Sequence, residues 1–254
     1  MEVVYEDNHI VIVAKQSGEI VQGDKTGDEP LSEKVKAYLK EKYQKPGAVF
    51  LGVVHRLDRP VGGLVMFART SKALARLNKM FANGEVHKTY WAIVESDKSE
   101  VKSGKPSIHT SHLSLFTSHL ECHLLEHWLT RNERQNKSYA HDHEVAGSKL
   151  ARLRCRLLAQ GDHYALVEVQ LMTGRHHQIR CQLSAIGCPI KGDLKYGARR
   201  SNADGSISLL ARRIAFIHPV SGADISIETP LPADPLWQAL AAKAVHQTSP
   251  QTPA

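Results

Sequence analysis

Several large protein classes are excluded by what this 254-residue chain lacks. Its four cysteines, Cys122, Cys155, Cys181 and Cys188, form no CxxC pair and do not recur at zinc-ligand spacings. Reduced structural thiols are the expectation. No apolar run approaches the roughly 20 residues that cross a bilayer, and the opening MEVVYEDNHIVIVAK lacks a basic stretch leading into a long apolar one. The expected location is cytoplasmic, with no membrane partner. No repeat appears at solenoid or propeller periods, and no Gly/Ser- or Pro-rich linker divides the chain. One domain over residues 1–245 is expected, followed by a disordered polar tail at 246–254.

Apolar residues make up 42% of the chain and charged residues 23%, an ordinary balance for a folded chain long enough to bury a core. Thirty-three Lys and Arg outnumber 26 Asp and Glu, leaving a net charge of +7. That excess suits a polyanion, because neutralising phosphates releases condensed counterions.

Strand and helix patterns are interspersed. NHIVIVAK at 8–15 reads as a buried strand, and LSEKVKAYLKEKY places Leu31, Val35 and Leu39 on one helical face just after Pro30. VFLGVVH and GLVMFAR are short strand-like runs, followed by a helix in SKALARLNKMFANG with Ser71 as its expected cap and Gly84 as its stop. HKTYWAIV is another strand, and residues 96–120 read as a connection. In KLARLRCRLL, Ala151, Leu153, Cys155 and Leu157 alternate with Arg152, Arg154 and Arg156, which gives a strand with one buried and one basic face. HYALVEVQL continues the sheet, TGRHHQIRCQLSAIG turns into a helix ending at Gly187, two more strands follow, and DPLWQALAAKA is a final helix. Short turns between strands favour antiparallel pairing. The fold class read from this is α+β, with a mixed, largely antiparallel central sheet flanked by helices.

The stretch VVHRLDRPVGGLVMFART at 53–70 sets a single carboxylate, Asp58, among arginines between two strands. The order HRLD differs from a kinase catalytic loop, and the chain has no glycine-rich loop, DFG or APE. Glycosidase and aspartic-protease chemistry splits acid and base roles between two carboxylates, and no second one stands here. A carboxylate flanked by arginines is held ionised, which suits a nucleophile or weak base. The plainer alternative is a turn in which Asp58 pairs with Arg56 or Arg59. A second polar cluster, TGRHHQIR, places Arg175 and Arg180 around His176, His177 and Gln178 at an expected helix start, a setting able to hold phosphates.

Taken in order, HRLDRPVGGLVMFART, KTYWAIV, TGRHHQIR, GCPIKGDLKYG and IAFIHP resemble the RluA-type family of RNA pseudouridine synthases, over most of the chain. The resemblance implies a pseudouridine synthase catalytic fold and Asp58 as the catalytic aspartate. It makes Arg56 the residue that helps take the target nucleotide out of the stack, Tyr90 the ring that packs on the uracil, and Arg180 the partner of the aspartate. Arg175, His177 and Gln178 are the further residues expected to bind RNA. Uridine isomerisation needs no redox step, metal or phosphoryl donor, so no cofactor, metal or nucleotide is expected. The implied partner is RNA, either tRNA or rRNA, and the expected state is a monomer. Departures from the family pattern are Gly62 where a Ser or Thr-Ser commonly precedes the Gly-Leu, Gln16 after Lys15 where a proline is usual, His176 for Thr, and Leu209–Ala211 reading LLA for LHA. No N-terminal basic RNA-binding module is seen.

Two further features call for readings of their own. His119, His123 and His127 fall at i, i+4 and i+8 beside Cys122 and His112, and on a helix they could share a face and bind a metal. The loop RNERQNKS at 131–138 reads as a solvated contact to RNA backbone. A competing function is a non-catalytic RNA-binding protein, but a carboxylate facing phosphates would serve it poorly.

Overall fold

A computed structural model describes residues 1–96 and 122–248. Most of the connection expected at 96–120, with His112 and His119 of the histidine cluster, and the tail beyond Thr248 lie outside the described residues. In chain order the elements are β1 (Glu2–Glu6), β2 (Ile10–Lys15), α1 (Leu31–Lys42), β3 (Gly52–Val53), β4 (Gly62–Ala68), α2 (Ser71–Asn83) and β5 (His87–Glu95). Then follow β6 (His123–Asn132), β7 (Lys137–His141), β8 (Lys149–Gln160), β9 (Tyr164–Leu171), α3 (Gln178–Ala185), β10 (Leu209–Ile217), β11 (Asp224–Glu228) and α4 (Pro235–Thr248). The class is α+β with mostly antiparallel pairings, as the patterning indicates. By internal contacts the chain forms two compact units, Met1–Lys88 with Leu210–Pro230 and Thr89–Leu209 with Leu231–Ala254.

In the first unit β2 runs antiparallel to β1 and β4, and β11 antiparallel to β10. The exception is β10 with β4, parallel through Leu210 opposite Gly62 and Ala211 opposite Gly63. Ile10, Ile12, Leu64, Met66, Leu77, Ile214 and Phe216 form one buried cluster on which α2 packs. Fully burying a leucine such as Leu77 contributes about 2 kcal/mol. The cap of α2 is one residue earlier than the sequence suggests. Thr70 is extended and its hydroxyl accepts from the Ala73 N–H at 3.1 Å, while Ser71 already lies in the helix. Gly84 ends the helix in the left-handed region at φ 74°.

In the second unit the strand order is β5, β9, β8, β6, β7, every neighbour antiparallel. The alternation expected in β8 is present, with Ala151, Leu153, Cys155 and Leu157 buried and Arg152 and Arg154 exposed. Its basic face is partly neutralised, because Arg152 pairs with Glu126 at 2.6 Å and Arg156 with Glu168 at 2.9 Å. The helical reading of the histidine stretch is corrected here: His123 and His127 lie on β6, whose Leu125, His127 and Leu129 are buried while Leu124 and Glu126 are exposed. A spacing of four fits one face of a strand as well as one face of a helix, and pairing with β8 decides it. Among the described residues no three His, Cys, Asp or Glu side chains converge. Cys155, Cys181 and Cys188 are buried, and Cys122 is exposed. The last helix packs on β8 and β9 and runs to Thr248, past the expected end at Ala244, since no breaker intervenes before Pro250.

Candidate active site

The loop between β3 and β4 carries Arg56 and Asp58. Arg56 is exposed, Leu57 is buried beneath the loop, and Asp58 is half-buried. The turn pairing between Asp58 and Arg59 is not what forms. Arg59 instead reaches Asp28 at 2.6 Å and the Thr26 hydroxyl at 2.8 Å. Beneath the loop lies Lys15, 1% exposed, at the end of β2. Its ammonium donates to the carbonyls of Gln16, Asp58, Arg59 and Val61 at 3.0, 3.3, 3.0 and 2.6 Å. Burial pushes its pKa down to about 8, against the opposing pull of Glu19 and Asp58. A turn bond from the Val61 N–H to the Asp58 carbonyl at 3.0 Å and one from the Gly18 N–H to the Arg59 carbonyl at 2.9 Å complete the frame. The loop leaves through Gly63, at φ 114°, where an added Cβ would lie 2.4 Å from the Ala211 carbonyl oxygen. Only glycine fits that approach.

At the loop's start, His55 accepts the Met66 N–H at 3.0 Å and stacks on Phe81 of α2 at 5.1 Å between ring centroids. The Lys88 ammonium stands over the same Phe81 ring at 5.2 Å. Burial of the His55 ring, and to a smaller extent the Lys88 charge, pushes its pKa down to about 3.

In the second unit Tyr90, 6% exposed, lies on β5 opposite Val169 of β9. TGRHHQIR forms a tight loop entering α3. Arg175 is exposed, with Nε donating to the Leu150 carbonyl at 3.0 Å. Gln178 is buried: its oxygen accepts from the Thr173 hydroxyl and the Arg175 N–H, both at 2.9 Å, and its nitrogen donates to the Arg152 carbonyl at 3.0 Å. His177, in the left-handed region at φ 50°, caps α3 and is hydrogen-bonded through Nδ1 to the Tyr196 hydroxyl at 2.9 Å. His176 stacks on His177 at 3.8 Å and reaches the Ser138 hydroxyl and the Asn136 side-chain oxygen at 2.9 and 3.0 Å. Arg180 is buried and grips Asp193 through two bonds, Nε to Oδ2 at 2.7 Å and Nη2 to Oδ1 at 2.9 Å. The Tyr196 ring lies 5.0 Å from the Arg180 guanidinium carbon. A guanidinium has five N–H donors, and Asp193 takes two of them.

Asp58 thus stands half-buried on a braced loop, Arg56 and Arg175 are exposed, and Arg180 is a buried fork on Asp193. The pattern of the RNA pseudouridylate synthase family covers residues 9–185. The chain belongs to that family. Its relatives include the ribosomal large subunit pseudouridine synthase C of Vibrio cholerae, 31% identical over 94% of this chain and 68% of its own length. Another is the ribosomal large subunit pseudouridine synthase D of Zymomonas mobilis, 30% identical over 92% of this chain and 70% of its own. The fold is shared with human RNA pseudouridylate synthase domain containing 4, at a TM-score of 0.68 and 19% identity, over 97% of this chain and 92% of that one.

Within this synthase the family region holds Arg56, Asp58, Tyr90, Arg175, His177, Gln178 and Arg180, while Asp193 falls beyond it. Asp193, Lys15 and His55 all stand within or beside the sequence motifs without a role there, because nothing in the chain tells which carboxylate meets Arg180 or that a lysine ends a buried strand.

Proposed function

We propose that this chain converts a uridine in folded RNA to pseudouridine, with Asp58 as the group that acts on the target nucleotide. The bond from ribose C1′ to N1 breaks and one from C1′ to C5 forms, while C5 gives up a proton and N1 gains one. Atoms and electrons balance without an oxidant, reductant or donor. The observation that carries the assignment is the position of Asp58: it lies in the family region, and its backbone is held by a buried ammonium. A stacked uridine must first leave the helix at a cost of a few kcal/mol. Arg56 and Arg175, both exposed, supply phosphate contacts toward that cost, and Arg56 assists the extrusion.

Tyr90 gives the uracil a stacking face, and Arg180 is the charge partner of Asp58. His177 and Gln178, both buried, serve RNA binding through the loop that presents Arg175. The RNERQNKS hairpin adds backbone contacts. Ribosomal RNA of the large subunit is the first substrate to test, because relatives carry that name, with tRNA the second. The synthase works as a cytoplasmic monomer without a cofactor.

The test maps pseudouridine by carbodiimide chemistry and sequencing in total RNA from cells with wild-type protein, Asp58→Asn protein or none. Sites absent from both the deletion and the variant are the expected result. Full restoration by Asp58→Asn would remove Asp58 from its role. Dependence of no site on the protein would favour an RNA-binding protein without catalysis.

A further inference from the structure

We propose that His55 is a positioning residue for the reaction: its ring nitrogen substitutes for an absent strand partner on β4 and so fixes where Asp58 is presented. The inference rests on the assignment of Asp58 above.

One edge of β4 is paired with β2 from Gly63 to Ala68. The other edge is paired with β10 at Gly62 and Gly63 and with β3 at Phe67 and Ala68. Neither register reaches Leu64, Val65 or Met66, which are all fully buried. A buried N–H without an acceptor costs about 1–3 kcal/mol, and among the described residues no strand supplies one to Met66 on this edge. His55 Nε2 does, at 3.0 Å. The ring cannot swing away freely, because it stacks on Phe81, which α2 holds against β4.

Accepting at Nε2 requires a ring whose proton sits on Nδ1. Burial favours a neutral ring, which agrees with that tautomer. On the far side of Asp58, Lys15 holds the carbonyls of Asp58, Arg59 and Val61. Arg56, Leu57 and Asp58 are therefore strung between two fixed points, one a ring docked in a gap of the sheet and the other an ammonium under the turn. Loss of the first lets the carboxylate shift, and a displacement of about 1 Å at a reacting group costs about 100-fold in rate.

The experiment compares the purified full-length chain with His55→Phe, His55→Gln and Asp58→Asn. The substrate is total RNA from cells lacking the protein, labelled with tritium at uridine C5, and the reading is tritium released to water. His55→Phe keeps a ring on Phe81 but has no acceptor, and kcat should fall about 10- to 100-fold with KM unchanged. His55→Gln puts an amide oxygen within reach of the Met66 N–H and should recover most of the rate. Wild-type kcat in His55→Phe, or a glutamine variant as slow as the phenylalanine one, overturns the proposal. Asp58→Asn separates the two assignments. Full activity there removes Asp58 whatever His55 does, whereas an inactive Asp58→Asn beside a normal His55→Phe removes only the role of His55. Should His55→Phe not fold, a long-range 1H–15N correlation on the wild-type chain decides: a proton on Nδ1 is expected, and a proton on Nε2 refutes the bond.

Discussion

Arg180 and Asp193 form a two-point ion pair with only 6% and 1% of their side chains exposed. Breaking a buried pair from one side leaves an uncompensated charge, which costs about 3–5 kcal/mol. Asp193→Asn should lose that much in urea denaturation and lose pseudouridine formation with it. Arg180→Met combined with Asp193→Leu should regain most of the stability and none of the activity, because an apolar pair fills the space but offers no donors.

Lys15 sets a dependence of stability on pH. Burial lowers its folded pKa to about 8 from an ordinary 10.5. Between those values the unfolded chain holds a proton that the folded chain has released, so stability rises as pH climbs through the window. The full rise is about 3 kcal/mol. Denaturation midpoints of wild type and Lys15→Met should be compared from pH 7 to 11. The variant should lack this component of the slope, though it will be less stable at pH 7 for want of a donor to the loop carbonyls.

Adjacent glycines at the exit of the Asp58 loop should respond unequally to serine. At Gly62 the nearest atom to an added Cβ is the Lys15 carbonyl oxygen at 3.5 Å, an ordinary contact. Gly63 would place its Cβ 2.4 Å from the Ala211 carbonyl oxygen at a positive φ. Gly62→Ser, the residue type common in the family, should melt within a few degrees of wild type. Gly63→Ser should lose about 1–3 kcal/mol or more.

Much of the fold could be read directly because its periods are clean. Ala151, Leu153, Cys155 and Leu157 alternate as a half-buried strand must, and Leu31, Val35 and Leu39 repeat as one helical face does. The misreadings have local causes. Thr70 and Ser71 are adjacent hydroxyls, either of which can cap, and the backbone selects the extended one. His123 and His127 satisfy helix and strand parity alike, so only the partner strand decides. The candidate site was legible in part. Asp58 and the arginines stand out as charges inside apolar runs, but the ammonium of Lys15 is a core element that composition assigns to the surface. Asp193 meets Arg180 across 13 residues of chain, a pairing no local pattern encodes.

Arg56 and Arg175 should differ from the buried residues in their salt response. Each contacts phosphate in the proposed function, so Arg56→Gln or Arg175→Gln should flatten the plot of log binding constant against log salt by about one unit. Filter binding to large-subunit rRNA fragments across a salt series checks this. Tyr90→Leu should weaken binding with the slope unchanged, because stacking carries no counterions.

The sulfur chemistry of the chain is as uneven as its burial. Cys155 and Cys188 are pushed up to about 12 and Cys181 to about 11 by desolvation, so three thiols hold their protons, out of solvent, at every physiological pH. Cys122 alone is exposed. An electrophile in neutral buffer therefore meets one addressable sulfur per folded molecule, and the unaltered chain comes with its own attachment point for a fluorophore or spin label on the residue just before β6.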